Sequence, residues 1–305
     1  MNVCSVSVDV DGIDHYYGIH GLPAPDPVTA GLVHGLALER LIGWAKDVRI
    51  PLTWFVIGKD TSNHEFVRTL KTTLEQGHEI ANHSLDHRYD LVKLEAEAQV
   101  EQVAGAQERL EQVFGIRASG FRAPGYTVTD TLLDIVERCG LVYDSSVFPC
   151  PAYYAAKSLV LLGQRLAGRQ SRSILDSPRV LSAPTCPYRR GQPYTHRGNG
   201  LLEIPIQVTP WARMPFIGTT LASMGPTGAR LLARSLVGVP LVNLELHGID
   251  FLTSGDGLQH LARHQPDLRL SLARKLAAFS AVVDVFRNSG YAFVTMSEAV
   301  RRLDL

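Results

Sequence analysis

The chain has 305 residues, of which 45% are hydrophobic, so it is long enough for one large domain or two ordinary ones. Lysine plus arginine equals aspartate plus glutamate at 30 each, and this balance argues against nucleic acid or a polyanion as the partner. No apolar run approaches the roughly 18 residues of a membrane-spanning helix, so no transmembrane segment is predicted.

The start of the chain and its cysteines bear on location. The first residues run directly into a predicted strand, without the basic and apolar regions of a signal peptide. The four cysteines lack Cys-x-x-Cys spacing, which favours free thiols in a reducing compartment. We therefore expect a cytoplasmic protein.

The first predicted strand carries two carboxylates at its carboxyl end. In the run from Val6 to Gly12, Asp9 and Asp11 point the same way, because residues i and i+2 of a strand share a face. Each has an ordinary alternative, since Asp9 could cap a helix and Asp11 could lie in a turn. Unpartnered burial of such carboxylates would cost several kcal/mol, so together they indicate a site.

After a Gly/Pro/His-rich loop at residues 12–27, helical patterns alternate with apolar runs. The predicted helices are Thr29–Lys46, Asn63–Gln76, Leu91–Phe114, Thr129–Cys139 and Leu268–Asn288. The predicted strands are Pro51–Gly58, Glu79–Asn82, Phe121–Pro124, Leu141–Asp144, Leu202–Val208, Leu241–His247 and Tyr291–Met296. Alternating β and α units predict a parallel sheet, and seven or eight of them indicate an α/β barrel. Because we find no internal repeat or linker, we predict a single catalytic domain spanning residues 1–305.

Two histidines follow the predicted strand Glu79–Asn82. His83 and His87 can meet one metal ion if the backbone turns between them, and imidazole is a common zinc ligand. With one carboxylate from the first strand they make an Asp-His-His site, which leaves the other carboxylate free to act as a base. A second pair with this spacing, His260 and His264, has no strand before it, and we interpret it as a solvated helix end.

Further polar residues fall at the ends of other predicted strands. Arg122, Asp144 and His247 each have a structural alternative: a surface ion pair, a turn cap and a satisfied core histidine, respectively. In α/β barrels, however, the carboxyl ends of the strands form the face that carries catalysis. The joint placement of these residues with the two aspartates and the histidine pair predicts an active site on that rim.

Several of these segments resemble the polysaccharide deacetylases (NodB-like, carbohydrate esterase family 4), in the order of that family's motifs. The matching segments are Ser7–Gly12, His83–His87, Arg122–Pro124, Tyr143–Ser146 and Leu244–His247. The resemblance implies a distorted (β/α)7 TIM-like barrel of NodB-homology type. It also implies hydrolysis of an N-acyl amide on a sugar, assisted by a divalent metal, with zinc expected.

The resemblance also implies a role for each matching residue. The implied metal ligands are Asp11, His83 and His87. The implied catalytic residues are Asp9 as general base, Arg122 orienting that base, His247 as general acid, and Asp144 positioning the acid. Such a site has the parts that amide hydrolysis needs: an activated water, a sink for the oxyanion and a proton for the leaving amine.

The chain departs from the usual family pattern in two places. One residue is inserted between the carboxylates of the first motif, giving Ser-Val-Asp-Val-Asp-Gly, which resembles a branch containing peptidoglycan-deacetylase-like proteins, allantoinase-like amidases and a lipid-linked aminosugar deformylase. Gly125 stands where an aromatic residue often follows the Arg-x-Pro motif. Residues 150–240 match no motif and are expected to specify the substrate.

We expect an N-acetyl or N-formyl sugar, either nucleotide-linked or carried on a polyprenyl phosphate at the inner face of the membrane. The basic, partly apolar stretch Tyr153–Arg172 fits either peripheral contact with a membrane or an ordinary barrel-covering helix with a solvated edge. An allantoinase-like cyclic amidase and a non-catalytic sugar-binding barrel remain alternatives.

Overall fold

The strands are short and alternate with helices along the chain. The computed structural model describes residues 2–166 and 168–304. Its strands are β1 (Val3–Asp9), β2 (Thr53–Val56), β3 (Glu79–Asn82), β4 (Gly120–Phe121), β5 (Tyr143–Asp144), β6 (Tyr188–Arg190), β7 (Arg197–Glu203), β8 (Leu241–His247) and β9 (Ala292–Phe293). Its α-helices are α1 (Ile13–Ile19), α2 (Pro27–Ala30), α3 (Leu38–Asp47), α4 (His64–Glu75), α5 (Ala96–Phe114), α6 (Asp130–Arg138), α7 (Pro151–Leu166), α8 (Gly218–Ser235), α9 (Leu272–Asn288) and α10 (Met296–Leu303).

The strands form one curled sheet in the order β6-β7-β5-β4-β3-β2-β1-β8, with β9 beside β1. Neighbouring strands are parallel except in the β6–β7 hairpin. Within the described residues no ladder joins β7 to β8, and β8 is met on that side by a single bridge between Ile217 and Glu245. The predicted distorted barrel is therefore confirmed as a curled, incompletely closed sheet.

Parallel pairing brings the carboxyl ends of the strands to one rim. Asp9 at the end of β1 stands opposite His247 of β8 and Phe55 of β2. Farther along the same rim, Phe121 of β4 stands opposite Asp144 of β5. The residues that follow these strand ends are therefore gathered where α/β barrels carry their active sites.

Strands β1 and β2 are buried on both faces. Every residue of β1 and of β2 is buried, as expected for a parallel sheet covered by helices on both sides. Side chains such as Val8 and Trp54 pack with Leu41 of α3 and Phe279 of α9 in the largest apolar cluster. Each such side chain contributes about 1.5–3 kcal/mol by leaving water, and the packing fixes the rim from below.

Two predicted segments differ from the structure near the rim. The loop predicted at residues 12–27 contains α1, because Ile13, Tyr16 and Tyr17 form a buried helical face within a stretch rich in glycine and histidine. The helix predicted over Thr29–Lys46 is divided into α2, a π-helical segment at Val33–Ala37, and α3.

The substrate-specifying region also differs in detail from its prediction. The helix predicted in Tyr153–Arg172 is α7, which begins at Pro151 and is described to Leu166, and the stretch from residue 168 to 172 has no regular structure. The strand predicted near Leu202–Val208 lies earlier, as β7. No helix in the described part of the chain has both the length and the apolar character needed to cross a membrane.

Candidate active site

Three of the predicted residues meet at the ends of β1 and β3. The Nε2 atom of His83 lies 3.2 Å from Oδ1 of Asp11, and Nε2 of His87 lies 3.3 Å from Oδ2 of the same carboxylate. All three side chains are buried, and their donor atoms lie within 4.8 Å of one another. The structure thus brings the predicted metal-binding triad together.

A tight turn after β3 makes this meeting possible. Ser84 and His87 both have a positive φ, at 64° and 52°, where non-glycine residues are uncommon. Side-chain hydrogen bonds hold the turn: Asn82 Oδ1 accepts from the Ser84 amide at 2.8 Å, and Ser84 Oγ accepts from the His87 amide at 3.1 Å. The turn folds His87 back beside His83, with the ring centroids 4.8 Å apart.

The unpaired atoms of this triad fit a metal ion. Asp11 Oδ1, His83 Nε2 and His87 Nε2 are buried and have no hydrogen-bond partner among the described residues. On the far side of its ring, His83 Nδ1 donates to the Arg122 carbonyl at 2.7 Å, which leaves the Nε2 lone pair facing the aspartate. Burial by itself would raise the pKa of Asp11, but His87 and His83 hold it well below its ordinary value.

Asp9 is held by a fully buried arginine. Arg122 Nη1 donates to Asp9 Oδ1 at 2.5 Å, while Nη2 donates to the hydroxyls of Ser7 and Ser145. The guanidinium lies over the Phe55 ring at 4.0 Å, so its position is fixed on several sides. Since two buried charges offset each other here, loss of the arginine would leave the carboxylate unpaired.

The second oxygen of Asp9 faces both the metal-binding triad and the predicted acid. Asp9 Oδ2 lies 3.8 Å from His83 Nε2 and 4.0 Å from His247 Nε2. A carboxylate in this position can take a proton from a water molecule near the triad.

His247 is positioned by a glutamate that the sequence reasoning missed. His247 Nδ1 lies 2.9 Å from Glu245 Oε1, and the Tyr126 hydroxyl donates to that same oxygen at 3.0 Å. Burial by itself would lower the pKa of His247, but the Glu245 carboxylate raises it well above its ordinary value. Because residues i and i+2 of a strand share a face, the Glu-x-His spacing on β8 was a signal for this pair.

Asp144 is not brought to His247. Its carboxylate accepts from the amide and the hydroxyl of Ser146 at 3.0 and 2.8 Å, and it interacts with Glu203 on the neighbouring strand. Burial raises the pKa of Asp144, and burial together with the Asp144 charge raises that of Glu203 well above its ordinary value. The prediction that Asp144 positions His247 is therefore corrected, because the carboxylate that contacts His247 is that of Glu245.

A second group of possible ligands is less suited to a metal. Donor atoms of Asp9, Glu245 and His247 also lie within 4.8 Å of one another. Two of these residues, however, already accept a hydrogen bond through one carboxylate oxygen, Asp9 from Arg122 and Glu245 from Tyr126. In the triad of Asp11, His83 and His87, by contrast, every residue has a buried ligand atom without a hydrogen-bond partner among the described residues.

Comparison with known proteins agrees with this geometry. Residues 37–143 match the polysaccharide deacetylase family model, a range that contains His83, His87 and Arg122. The peptidoglycan deacetylase-like protein FGM2 of Gibberella zeae is 31% identical over 147 residues, which are 47% of this chain and 43% of that protein. A candidate polysaccharide deacetylase from Mycobacterium smegmatis shares the fold at a TM-score of 0.59 and 19% identity, over 100% of this chain and 92% of the other.

Over residues 37–143 the chain is thus similar to the polysaccharide deacetylases, and its fold is that of their solved structures. A carbohydrate esterase family 4 domain of a multidomain xylanase, from the hindgut metagenome of Trinervitermes trinervoides, has a TM-score of 0.50 at 13% identity, over 100% of this chain and 92% of the other. The chain spans less than half the length of the curated relatives that it matches.

The site opens into a largely apolar cavity of about 700 Å³. Asp9, Asp11 and His247 line one part of it. Apolar side chains from α7, α8 and the loop before α8 line much of the rest: Tyr153, Ala156, Val160, Leu161, Met214, Pro215, Ile217 and Met224. The volume is within the range of small-molecule pockets, roughly 300–1,000 Å³.

The second histidine pair has a different place from the one predicted. His264 lines the same cavity and stacks on His20, with the ring centroids 5.5 Å apart, whereas His260 is exposed. The prediction of a solvated helix end is therefore wrong for His264, because the loop after β8 folds back against α1. The spacing of the two histidines along the chain does not indicate that this loop packs against α1.

Proposed function

We propose that this chain is a metal-dependent carbohydrate N-deacylase, which hydrolyses an acetyl or formyl amide on an amino sugar. The observation that carries the proposal is the group of buried, unpaired donor atoms on Asp11, His83 and His87. Next to it are a carboxylate fixed by an arginine and a histidine held by a glutamate, which are the two proton-transfer groups that amide hydrolysis requires.

Asp11, His83 and His87 would hold the metal, and two imidazoles with one carboxylate favour zinc. A bound zinc ion lowers the pKa of a coordinated water and polarises a carbonyl group. Three protein ligands leave room for water and substrate. The hydrogen bond from His83 Nδ1 to the Arg122 carbonyl orients one of the three ligands.

The proton transfers are assigned to the two residues beside the triad. Asp9 Oδ2 takes the proton of the attacking water, while Arg122 holds the other oxygen and orients the carboxylate. His247 donates a proton to the departing amine nitrogen. Since Glu245 raises the pKa of His247, it favours the protonated imidazole, which can serve as the acid.

The cavity favours a small amphiphilic substrate over a polymer. Its apolar lining suits a hydrophobic group attached to the sugar, such as a polyprenyl phosphate carrier, more than a chain of hydroxylated sugars. Leu159, Leu162 and Leu166 form an exposed apolar stripe on the outer side of α7, beside the exposed Arg165. This face supports peripheral contact with an anionic membrane, whereas the cytoplasmic location stays a prediction.

The test combines metal content with amine release from N-formyl and N-acetyl sugars, free and lipid-linked. The wild-type protein should contain about one equivalent of zinc, and His83→Ala should lose both the metal and hydrolysis. Asp9→Asn should keep the metal but lose roughly 10²-fold or more in rate.

Two outcomes would contradict this assignment. Full metal occupancy in the His83 variant would refute the ligand set, and metal loss in the Asp9 variant would reverse the roles of the two aspartates. Consistent absence of metal from the wild-type protein would favour the cyclic amidase or the non-catalytic barrel.

A further inference from the structure

A second, smaller cavity of about 320 Å³ adjoins the active-site cavity. His20, Val160 and His264 line both, so the two share a wall. We call the smaller cavity the cationic pocket, because its titratable lining residues are His20, Arg169, Arg263 and His264.

The charge of this pocket comes from its two arginines, because burial lowers the pKa of His20 and that of His264. These guanidinium groups have little local compensation. No carboxylate lies within 4.0 Å of the Arg169 or Arg263 guanidinium among residues 2–166 and 168–304. Asp267, which acts on His20, has its charge offset by Lys275, with Nζ 3.6 Å from Oδ2. Asp14 lines an adjoining depression together with Arg169 but forms no ion pair with it. The pocket therefore concentrates positive charge.

A buried acceptor in the same lining also lacks a partner. Gln164 is 9% exposed; its Nε2 donates to the Ile19 carbonyl, while Oε1 is buried without a hydrogen-bond partner. An acceptor left in this state is destabilising unless a ligand supplies a donor. A ligand with anionic oxygens and a hydroxyl would satisfy both the cations and this amide oxygen.

Helix α1 connects the cationic pocket to the catalytic residues. The Tyr16 ring packs edge-on against His247, with the centroids 6.4 Å apart. His20 follows four residues later, which is roughly 6 Å farther along a helical rise. Tyr16, His20 and His247 line the same active-site cavity, so a continuous space joins the two places.

We propose that the cationic pocket binds a phosphate ester of the same substrate whose amide lies between Asp9 and His247. Two guanidinium groups can form paired hydrogen bonds with phosphate oxygens, and the His264 imidazole lies in the same lining. This inference rests on the proposed function for the amide chemistry, but the pocket itself can be tested by binding alone. It adds to the proposed function a position for the anionic group of the substrate.

The test measures binding and hydrolysis of N-acetylglucosamine 1-phosphate and of N-acetylglucosamine by the metal-loaded protein. The wild-type chain should bind the phosphorylated sugar at least roughly tenfold more tightly, the scale of one charge-assisted hydrogen bond. Arg263→Gln and Arg169→Gln should each remove most of this preference, while leaving the neutral sugar unaffected.

Arg165→Gln is the matched control, because Arg165 is exposed in the last turn of α7 but does not line the pocket. It should keep the preference for phosphate. Competition with inorganic phosphate, and with farnesyl phosphate against farnesol, distinguishes a free sugar phosphate from a lipid carrier. Competition by farnesyl phosphate but not by inorganic phosphate would place the ester on a lipid.

Equal binding of the two sugars by the wild-type chain would overturn the proposal, as would an equal effect of Arg263→Gln and Arg165→Gln. The outcomes also separate the two hypotheses. Phosphate-dependent binding without amine release supports the phosphate site and contradicts the proposed hydrolysis. Amine release with no preference for the phosphorylated sugar supports the hydrolysis and contradicts the phosphate site.

Discussion

Arg122 connects two functions of the site at the scale of one residue. Its carbonyl oxygen accepts from His83 Nδ1 and orients a predicted metal ligand, and its guanidinium group donates to Asp9. The proposed base, Asp9, and the proposed metal ligand, His83, are therefore positioned by the same buried residue. Arg122 can do both because the Arg-Ala-Pro motif lies immediately after β4, where its backbone and its side chain both reach the rim.

Glu245 provides the first prediction at this scale. His247 must be protonated to act as an acid, so activity is lost as pH rises through its pKa. Glu245 raises that pKa, and Glu245→Gln should therefore move the alkaline limb of the pH–kcat/KM profile to lower pH. We expect a loss of up to roughly 10²-fold at alkaline pH and a smaller loss at acidic pH, measured by amine release.

Asp144→Asn is the discriminating variant. Because Asp144 contacts Ser146 and Glu203 and not His247, its replacement should leave the alkaline limb where it is. A shift of that limb in the Asp144 variant, with none in the Glu245 variant, would restore the role that the family resemblance implied.

At the scale of elements, α7 decides what the active-site cavity can hold. Tyr153, Ala156, Val160 and Leu161 face the cavity at helical spacing, while Leu159 and Leu162 on the other side are exposed. One side of the helix therefore forms an apolar wall of the cavity, and the other side forms an apolar outer surface.

Filling the cavity from α7 should affect large substrates selectively. Ala156→Trp places an indole among the lining residues, so kcat/KM for a substrate with an apolar carrier should fall roughly tenfold or more, the equivalent of about 1.4 kcal/mol. Ala155→Trp is the control, because Ala155 is exposed and is not part of the lining. Equal losses in both variants would show that α7 does not form the substrate wall.

At the scale of the whole molecule, the proposed metal joins the ends of β1 and β3. A ligand that binds only the folded state stabilises it, by about 2.7 kcal/mol when its concentration is 100 times its Kd. Strand β2 lies between β1 and β3 in the sheet, so it separates the two strand ends that carry the proposed ligands. Metal binding would therefore add a cross-link across β2.

Metal removal should lower the thermal stability of the wild-type chain. We expect chelation by EDTA to reduce Tm by about 5 °C, and zinc to restore it, as measured by calorimetry. His83→Ala should have a Tm that is indifferent to both treatments. An EDTA effect of equal size in that variant would show that the stabilising metal binds elsewhere.

The sequence by itself determined the alternation of strands and helices and the residues of the metal-binding triad. These features depend on local properties: apolar runs, the two-residue period of β1, and the four-residue spacing of His83 and His87. For the same reason β3 and β8 were predicted with the bounds that the structure has. The role of each triad residue in binding a metal stays a proposal.

Only the tertiary structure decided which residues surround that triad. The return of His264 to the cavity and the lining of the cationic pocket join segments far apart in the chain. The packing of the rim also leaves His247 beside Glu245 of its own strand and Asp144 beside Ser146. Such contacts are set by how helices pack across the curled sheet, and the spacing of residues along the chain does not encode these distances. The identities of the polar residues at the rim could thus be predicted from local sequence patterns. The shape and the charge of the cavity depend on how distant segments pack together.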